Sequence, residues 1–221
     1  MNNQEYPQIS VITPNLNNGK YIENTILSVL NQNYPNLEYI VVDGGSTDNS
    51  LDIIDKYSKN IICINEKDNG QSEAINKGIK IASGDVLCYL NSDDILLPNS
   101  LFNIAEIFLR SPNVYWVTGY CRIINDVSHE VRKFITIYKQ ILLNIRSLKL
   151  LYITDFISQP STFWRKKIVD EIGLFNVKYH FAMDYDYFIR LWQKQKPFII
   201  RKYLAGFRIH ENSKSTIVKN F

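Results

Sequence analysis

The feature that most constrains this chain is an alternation that recurs four times. Ile9-Ser10-Val11-Ile12-Thr13, Tyr39-Ile40-Val41-Val42, Ile61-Ile62-Cys63-Ile64 and Val86-Leu87-Cys88-Tyr89-Leu90 are short apolar runs, each closed by a polar, turn-forming cluster. Between them apolar residues return at helical spacing: Ile22, Ile26, Val29 and Leu30, then Leu51, Ile54 and Tyr57, then Ala74, Ile75, Ile79 and Ala82. Strand, helix and strand in that order predict an α/β fold, a doubly wound and mostly parallel sheet with right-handed crossovers and helices on both faces. The fourth run has five apolar residues without alternation, which predicts a strand buried on both sides. A length of 221 residues suits one large domain over 1–221.

Parallel strands joined by helices all point one way, so their carboxyl ends share an edge, and ligands of open α/β sheets bind in the crevice outside it. Thr13, Asp43, Glu66 and Asp93 stand at or just after four such ends. In Leu90-Asn91-Ser92-Asp93-Asp94 two adjacent carboxylates repel each other. They call for a divalent cation, an Arg or Lys, or a helix N-terminus. Turn formation and capping ahead of Pro98 would also account for the pair. Gly44-Gly45 lacks dinucleotide-fingerprint spacing, and no GxxxxGK[ST] occurs. Asp68-Asn69-Gly70-Gln71 matches a capping box.

The second half is less regular. Leu101, Ile104, Ala105 and Phe108 predict a helix ended by Ser111-Pro112-Asn113, and Val114-Tyr115-Trp116-Val117 a strand. Residues 133–153 mix Phe134, Tyr138, Ile141, Leu142, Ile145, Leu148 and Leu151 with Lys133, Lys139, Arg146 and Lys149. A helix packed on the core with a solvated basic face is the preferred reading; an amphipathic helix on a membrane face is the other. Phe181, Tyr185, Phe188 and Trp192 predict a further helix, with Asp184 in its first turn. Phe198-Ile199-Ile200 through Phe207-Arg208-Ile209-His210 reads as a hairpin or edge strands.

The net charge of +3 and pI near 8.6 fit an anionic substrate or surface and are too weak to argue for nucleic acid. Cys63, Cys88 and Cys121 show no CxxC spacing and read as buried free thiols in a reducing compartment. With no basic-then-apolar leader at the N-terminus and no stretch of about 18 apolar residues, the expected location is cytoplasmic.

In order and spacing, Ser10-Val11-Ile12-Thr13-Pro14-Asn15, Asp43-Gly44-Gly45-Ser46-Thr47-Asp48, Glu66-Lys67-Asp68-Asn69-Gly70 with Ala74-Ile75-Asn76-Lys77-Gly78, Leu90-Asn91-Ser92-Asp93-Asp94, Gln159-Pro160-Ser161-Thr162-Phe163, Gly173-Leu174-Phe175, Asp184-Tyr185-Asp186 and Phe207-Arg208-Ile209-His210 resemble the family 2 glycosyltransferases of the GT-A fold. The resemblance spans nearly the whole chain. It implies an inverting, metal-dependent hexosyl- or N-acetylhexosaminyltransferase. Such an enzyme moves sugar from a nucleoside-diphosphate donor, most often a UDP-sugar, to a saccharide or lipid-linked acceptor in surface polysaccharide or glycolipid synthesis. A nucleotide-binding half would cover 1–95 and an acceptor half 96–221.

By the same resemblance, Thr13, Asn15, Asp43, Glu66, Asp68, Asn76, Lys77 and Asp93 serve the nucleotide-sugar. Asp93, Asp94 and His210 hold Mn²⁺ or Mg²⁺, with Asn91 replacing the first acid of the usual DxD motif. Asp184 is the catalytic base, and Gln159, Ser161 and Asp186 face the acceptor. Peripheral contact at the inner membrane face would follow from a lipid-linked acceptor. A non-catalytic sugar-nucleotide-binding or scaffold protein of the same fold is the alternative, and a nucleotidyltransferase is disfavoured because Asn15 to Lys20 supplies one Gly and one Lys.

Overall fold

The computed structural model describes residues 6–211 and 213. Residues 1–5, on which the expectation of no leader rests, lie outside them. The elements run β1 (Ile9–Asn15), α1 (Ile22–Leu30), β2 (Leu37–Asp43), α2 (Ser50–Asp55), β3 (Ile62–Asn65), α3 (Gln71–Ile81), β4 (Val86–Tyr89), β5 (Ile95–Leu96), α4 (Ser100–Arg110), β6 (Trp116–Ile124), α5 (Lys133–Ile145), α6 (Leu148–Leu151), β7 (Thr162–Arg165), α7 (Val169–Ile172), α8 (Met183–Lys194) and β8 (Phe198–Arg208).

One eight-stranded sheet has the order β3-β2-β1-β4-β7-β6-β8-β5. The first four strands are parallel, as the alternation demands, and β7 enters antiparallel to both β4 and β6. The chain steps outward from β1 to β3 and then returns to the other side of β1 as β4. That reversal opens a crevice between the carboxyl ends of β1 and β4.

Period-two alternation splits each central strand between two cores. Ile9 and Val11 of β1, and Val86 and Cys88 of β4, pack with α1, α2 and α4 on one face. Ile12, Leu87 and Tyr89 pack with α3 and α8 on the other. All of β4 is buried, as expected for a strand covered on both faces. Gly78 lets α3 lie against β1, because a Cβ there would come within 2.4 Å of Ile12 Cγ2.

Four expectations are corrected. The C-terminal segment is neither a hairpin nor an edge: β8 is one eleven-residue strand, parallel to β6 and flanked by β5. Cys63 is exposed, because β3 is the edge strand and shows its residues to solvent; only Cys88 and Cys121 are buried. Asp68 does not cap α3, whose N-cap is Gly70. Residues 133–153 form two helices rather than one, parted where Arg146 turns left-handed and Ser147 caps α6. The first of these, α5, buries only Thr136 and Leu143 and leaves Phe134, Ile137, Tyr138, Ile141 and Ile145 more than half exposed, so its outer face is apolar and not merely basic, while Leu142, Leu148 and Leu151 do pack on the core.

Candidate active site

Strand ends build one wall of a cleft of about 870 Å³, a size ordinary for a small-molecule site. Asn15 and Asp43 are register partners at the ends of β1 and β2. Asp43 is fully buried. Its Oδ2 accepts from Asn15 Nδ2 and Ser46 Oγ, both at 2.7 Å, and its Oδ1 from the backbone N–H groups of Gly45 at 3.0 Å and Ser46 at 2.7 Å. Four donors occupy this carboxylate, which fixes the loop after β2 and does not line the cleft. Asn15 does line it, and Asn15 Oδ1 is buried without a partner. An unmet buried acceptor costs about 1–3 kcal/mol, so the position calls for a donor from outside the chain.

The other residues expected on this wall divide in the same way. Asp68 lines the cleft and accepts the Gly70 N–H at 2.8 Å. Thr13 is buried, with Oγ1 3.1 Å from the Tyr39 hydroxyl. Glu66 pairs with Lys77 at 3.0 Å, and Lys77 also reaches the Lys67 carbonyl at 3.1 Å, which braces the loop after β3 from outside the cleft. Asn76 spends its amide on Phe175, donating to its carbonyl at 2.8 Å and accepting its N–H at 2.9 Å.

After β4 the chain turns at Asn91–Asp94, closed by the Asp94 N–H donating to the Asn91 carbonyl at 3.0 Å. The two carboxylates part here. Asp93 lines the cleft, and its Oδ2 lies 3.0 Å from Nε2 of His210, which follows the end of β8. Asp94 is fully buried and lies outside the lining; its Oδ1 accepts the Arg208 N–H at 2.7 Å and its Oδ2 the Asn91 amide at 3.3 Å. Burial holds its carboxyl well above the usual range, Asp93's charge adds to the rise, and the donated hydrogen bonds oppose it.

Arg208 explains why this turn is so well held. Fully buried, it donates to the carbonyls of Asp93 at 2.7 Å, Asn125 at 2.8 Å and Asp126 at 2.9 Å, and its guanidinium lies over the Tyr21 ring. The Tyr21 ring also rests against His210, with centroids 4.6 Å apart, and its hydroxyl donates to Asp126. Lys20, largely exposed on the cleft, pairs with Asp126 at 3.2 Å. Sequence reasoning missed Lys20, Tyr21 and Asp126 as members of this cluster. Lys20 carried a signal, a cation in the first loop at the carboxyl edge; Asp126 sits in a turn after β6 and carried none.

The N-terminus of α8 contributes to the same cleft, where Asp184 lines it together with Phe181 and Met183. Asp155 lies near enough to feel Asp184: burial pushes its carboxyl up to about 6, Lys139 opposes the rise and Asp184 adds to it. Three residues expected near the acceptor are placed otherwise. Asp186 pairs with Arg190 at 2.6 Å, and Arg190 also donates to the Ile172 carbonyl at 2.6 Å. Gln159 donates to the Tyr89 carbonyl, and Ser161 Oγ to the Gly119 carbonyl at 2.9 Å; both are buried and outside the lining.

Among the described residues no group of three or more His, Cys, Asp or Glu is arranged to hold a metal. Asp93 and His210 nonetheless place two donors together on the cleft. An Mg²⁺-type ion on a nucleotide takes one or two protein ligands and draws the rest from phosphate and water. The donor set fits a shared ion of that kind and not an all-protein cage.

A family model described as glycosyl transferase family 2 matches residues 10–173. A putative teichuronic acid biosynthesis glycosyltransferase, TuaG, of Bacillus subtilis is 35% identical over 54% of this chain and 49% of its own length. An uncharacterized glycosyltransferase of Rickettsia prowazekii is 29% identical over 92% of this chain and 64% of its own length. The chain thus spans about half to two thirds of these relatives. Among solved structures, S. aureus TarS 1-349 in complex with UDP-GlcNAc superposes with a TM-score of 0.70 at 18% identity, over 93% of this chain and 60% of that one. The mannosyltransferase PcManGT from Pyrobaculum calidifontis, in complex with GDP-Man and Mn²⁺, gives 0.73 at 16% identity, over 95% of this chain and 59% of that one.

Proposed function

The chain belongs to glycosyl transferase family 2, and from that premise we propose that it transfers a sugar from a nucleoside-diphosphate donor to a hydroxyl acceptor, with inversion, in the synthesis of a surface polysaccharide or glycolipid. The observation that carries this reading is one cleft lined by Asp93 and His210 from the strand-end side and by Asp184 from the first turn of α8. Such a site brings groups suited to a leaving diphosphate and a candidate base into one cleft. Support for the donor class comes from the family and from two fold relatives held in complex with UDP-GlcNAc and GDP-Man.

Each residue has a physical task in this proposal. Asn15 Oδ1 offers an acceptor to a base or ribose donor, and Asp68 closes the same wall. Negative charge grows on the diphosphate as the glycosidic bond breaks, and the Lys20 ammonium stands at the cleft to meet it. Asp93 and His210 would hold Mn²⁺ or Mg²⁺, which when bound stabilises that same charge. Asp184 takes the proton from the attacking acceptor hydroxyl. With Asp184 as base and the acceptor hydroxyl as nucleophile the transfer is a single displacement, which inverts the anomeric centre.

The test is calorimetric titration of the chain with UDP, GDP, dTDP and CDP, each with Mn²⁺ and with EDTA, followed by an assay for released nucleoside diphosphate from the matching sugar donor. Metal-dependent binding of one nucleotide is the expected result, with UDP the first candidate. Absence of binding by all four, with and without metal, would overturn the proposal.

A further inference from the structure

Helix α5 turns its apolar stripe away from the protein. Phe134, Ile137, Tyr138, Ile141 and Ile145 follow the spacing of one helical face, and each is 53 to 73% exposed. The two residues that α5 buries, Thr136 and Leu143, lie about 180° around the helix at 100° per residue. Polar bonds keep it from rolling over: Gln140 Nε2 donates to the Tyr203 hydroxyl at 2.8 Å, Asn144 Nδ2 to the Tyr120 hydroxyl at 2.9 Å, and Arg201 Nε to Asn144 Oδ1 at 3.0 Å. The stripe runs about 16 Å along the helix. Just beyond α6, Tyr152 and Ile153 are exposed as well, at 51% and 80%.

Charge says what covers this face. Residues 131–154 hold Arg132, Lys133, Lys139, Arg146 and Lys149 and no Asp or Glu, so this segment's +5 exceeds the whole chain's net +3. Arg132 and Lys133 sit at one end of the stripe, and Arg146 and Lys149 at the other, all exposed. A helix with an apolar face and basic flanks suits the boundary of an anionic bilayer, where apolar side chains enter the acyl region and the cations meet headgroups. A second copy of the chain fits poorly, because pairing stripe to stripe would set the four flanking cations of one copy against the four of the other.

We propose that the outer face of α5 docks the protein on an anionic membrane surface. Among the described residues no helix is long and apolar enough to cross a membrane, so the contact is interfacial. Lys139, on the inner side of α5, and Asp184 at the head of α8 both act on the Asp155 carboxyl, so α5 lies on the same side of the protein as the α8 end of the cleft. Docking itself stands on α5 alone; its use for delivering a lipid-linked acceptor rests on the glycosyltransferase reading.

The test is co-sedimentation of the full chain with vesicles of phosphatidylcholine alone and of phosphatidylcholine with 30% phosphatidylglycerol (a composition chosen for the assay, about one anionic lipid in three). Expected is partition at least about tenfold stronger into the anionic vesicles, falling in high salt. Ile137→Glu with Ile141→Glu should weaken it by a further factor of about ten or more, and Lys133→Gln with Lys149→Gln by about tenfold. Thermal melting of each variant checks folding. No binding to anionic vesicles, or variants that bind like the parent, would overturn the proposal. So would a dimer that Ile137→Glu with Ile141→Glu dissolves in the absence of vesicle binding. Nucleotide titration of the same proteins reads the donor site separately, so loss of docking with nucleotide binding intact counts against the membrane face alone, and the converse against the glycosyltransferase reading alone.

Discussion

Two sets of carboxylates surround the cleft and differ in whether they line it. Asp43, Asp94 and Asp186 stand outside the lining and are engaged by the protein's own donors: four hydrogen bonds on Asp43, the Arg208 N–H on Asp94, the Arg190 guanidinium on Asp186. Asp93 and Asp184 line the cleft. The contrast is sharpest between neighbours, for Asp93 and Asp94 follow one another in a single turn and point to different tasks. Removing a member of the first set is expected to cost stability, and removing a member of the second to cost function.

Substitutions can break that division. The largest effect is expected for Asp184→Asn: turnover should fall by about 10²–10⁴ while nucleotide affinity and melting temperature stay near the parent's. Undiminished turnover would take the base elsewhere. Asp43→Ala strands Asn15 Nδ2, Ser46 Oγ and two backbone N–H groups, and should destabilise the fold by about 3–4 kcal/mol in denaturant titrations. A stable Asp43→Ala protein that had lost only nucleotide binding would move Asp43 into the second set.

Asp93→Asn should weaken Mn²⁺-dependent nucleotide binding by about 10- to 100-fold with little change in melting. Equal affinity in Mn²⁺ and EDTA for both proteins would remove the metal from this turn. The smallest effect concerns Asp155, whose folded pKa of about 6 exceeds its ordinary value of 3.8. A raised carboxyl favours folding below about pH 4 and loses that advantage as pH rises through about 6. Asp155→Asn should therefore match the parent at pH 4 and be more stable at pH 8, by about 1–2 kcal/mol for a partly solvated group. Equal melting curves at both pH values would show that the charge is not felt.

Much of this division was hidden from the sequence. Asp93 and Asp94 are one dipeptide, and nothing local separates them. What separates them is β8, more than a hundred residues later, whose Arg208 N–H meets Asp94 and whose following His210 meets Asp93. Asn76, Lys77, Gln159 and Ser161 stood in the right segments, yet their side chains are spent on Phe175, Glu66, Tyr89 and Gly119, partners distant in sequence or across a loop. Lys20, Tyr21 and Asp126 gather only because the turn after β6 folds back over the first loop of the chain.

Periodicity met the same limit. α5 and α8 both carry apolar residues at helical spacing, yet α8 buries Tyr187, Phe188, Leu191 and Trp192, while α5 leaves its stripe in solvent. Spacing says which residues share a face, and packing says which way that face looks.

By itself the sequence determined the alternation of strands and helices, hence the parallel half of the sheet, the edge on which strand ends collect and the family resemblance. Those follow from short-range chemistry: apolar period, turn residues and the handedness of crossovers. Tertiary structure alone decided that β8 runs inside the sheet, that one carboxylate of each pair is consumed by the protein and that α5 faces outward. These depend on hydrogen-bond partners and packing surfaces brought together from distant parts of the chain, which no local pattern encodes.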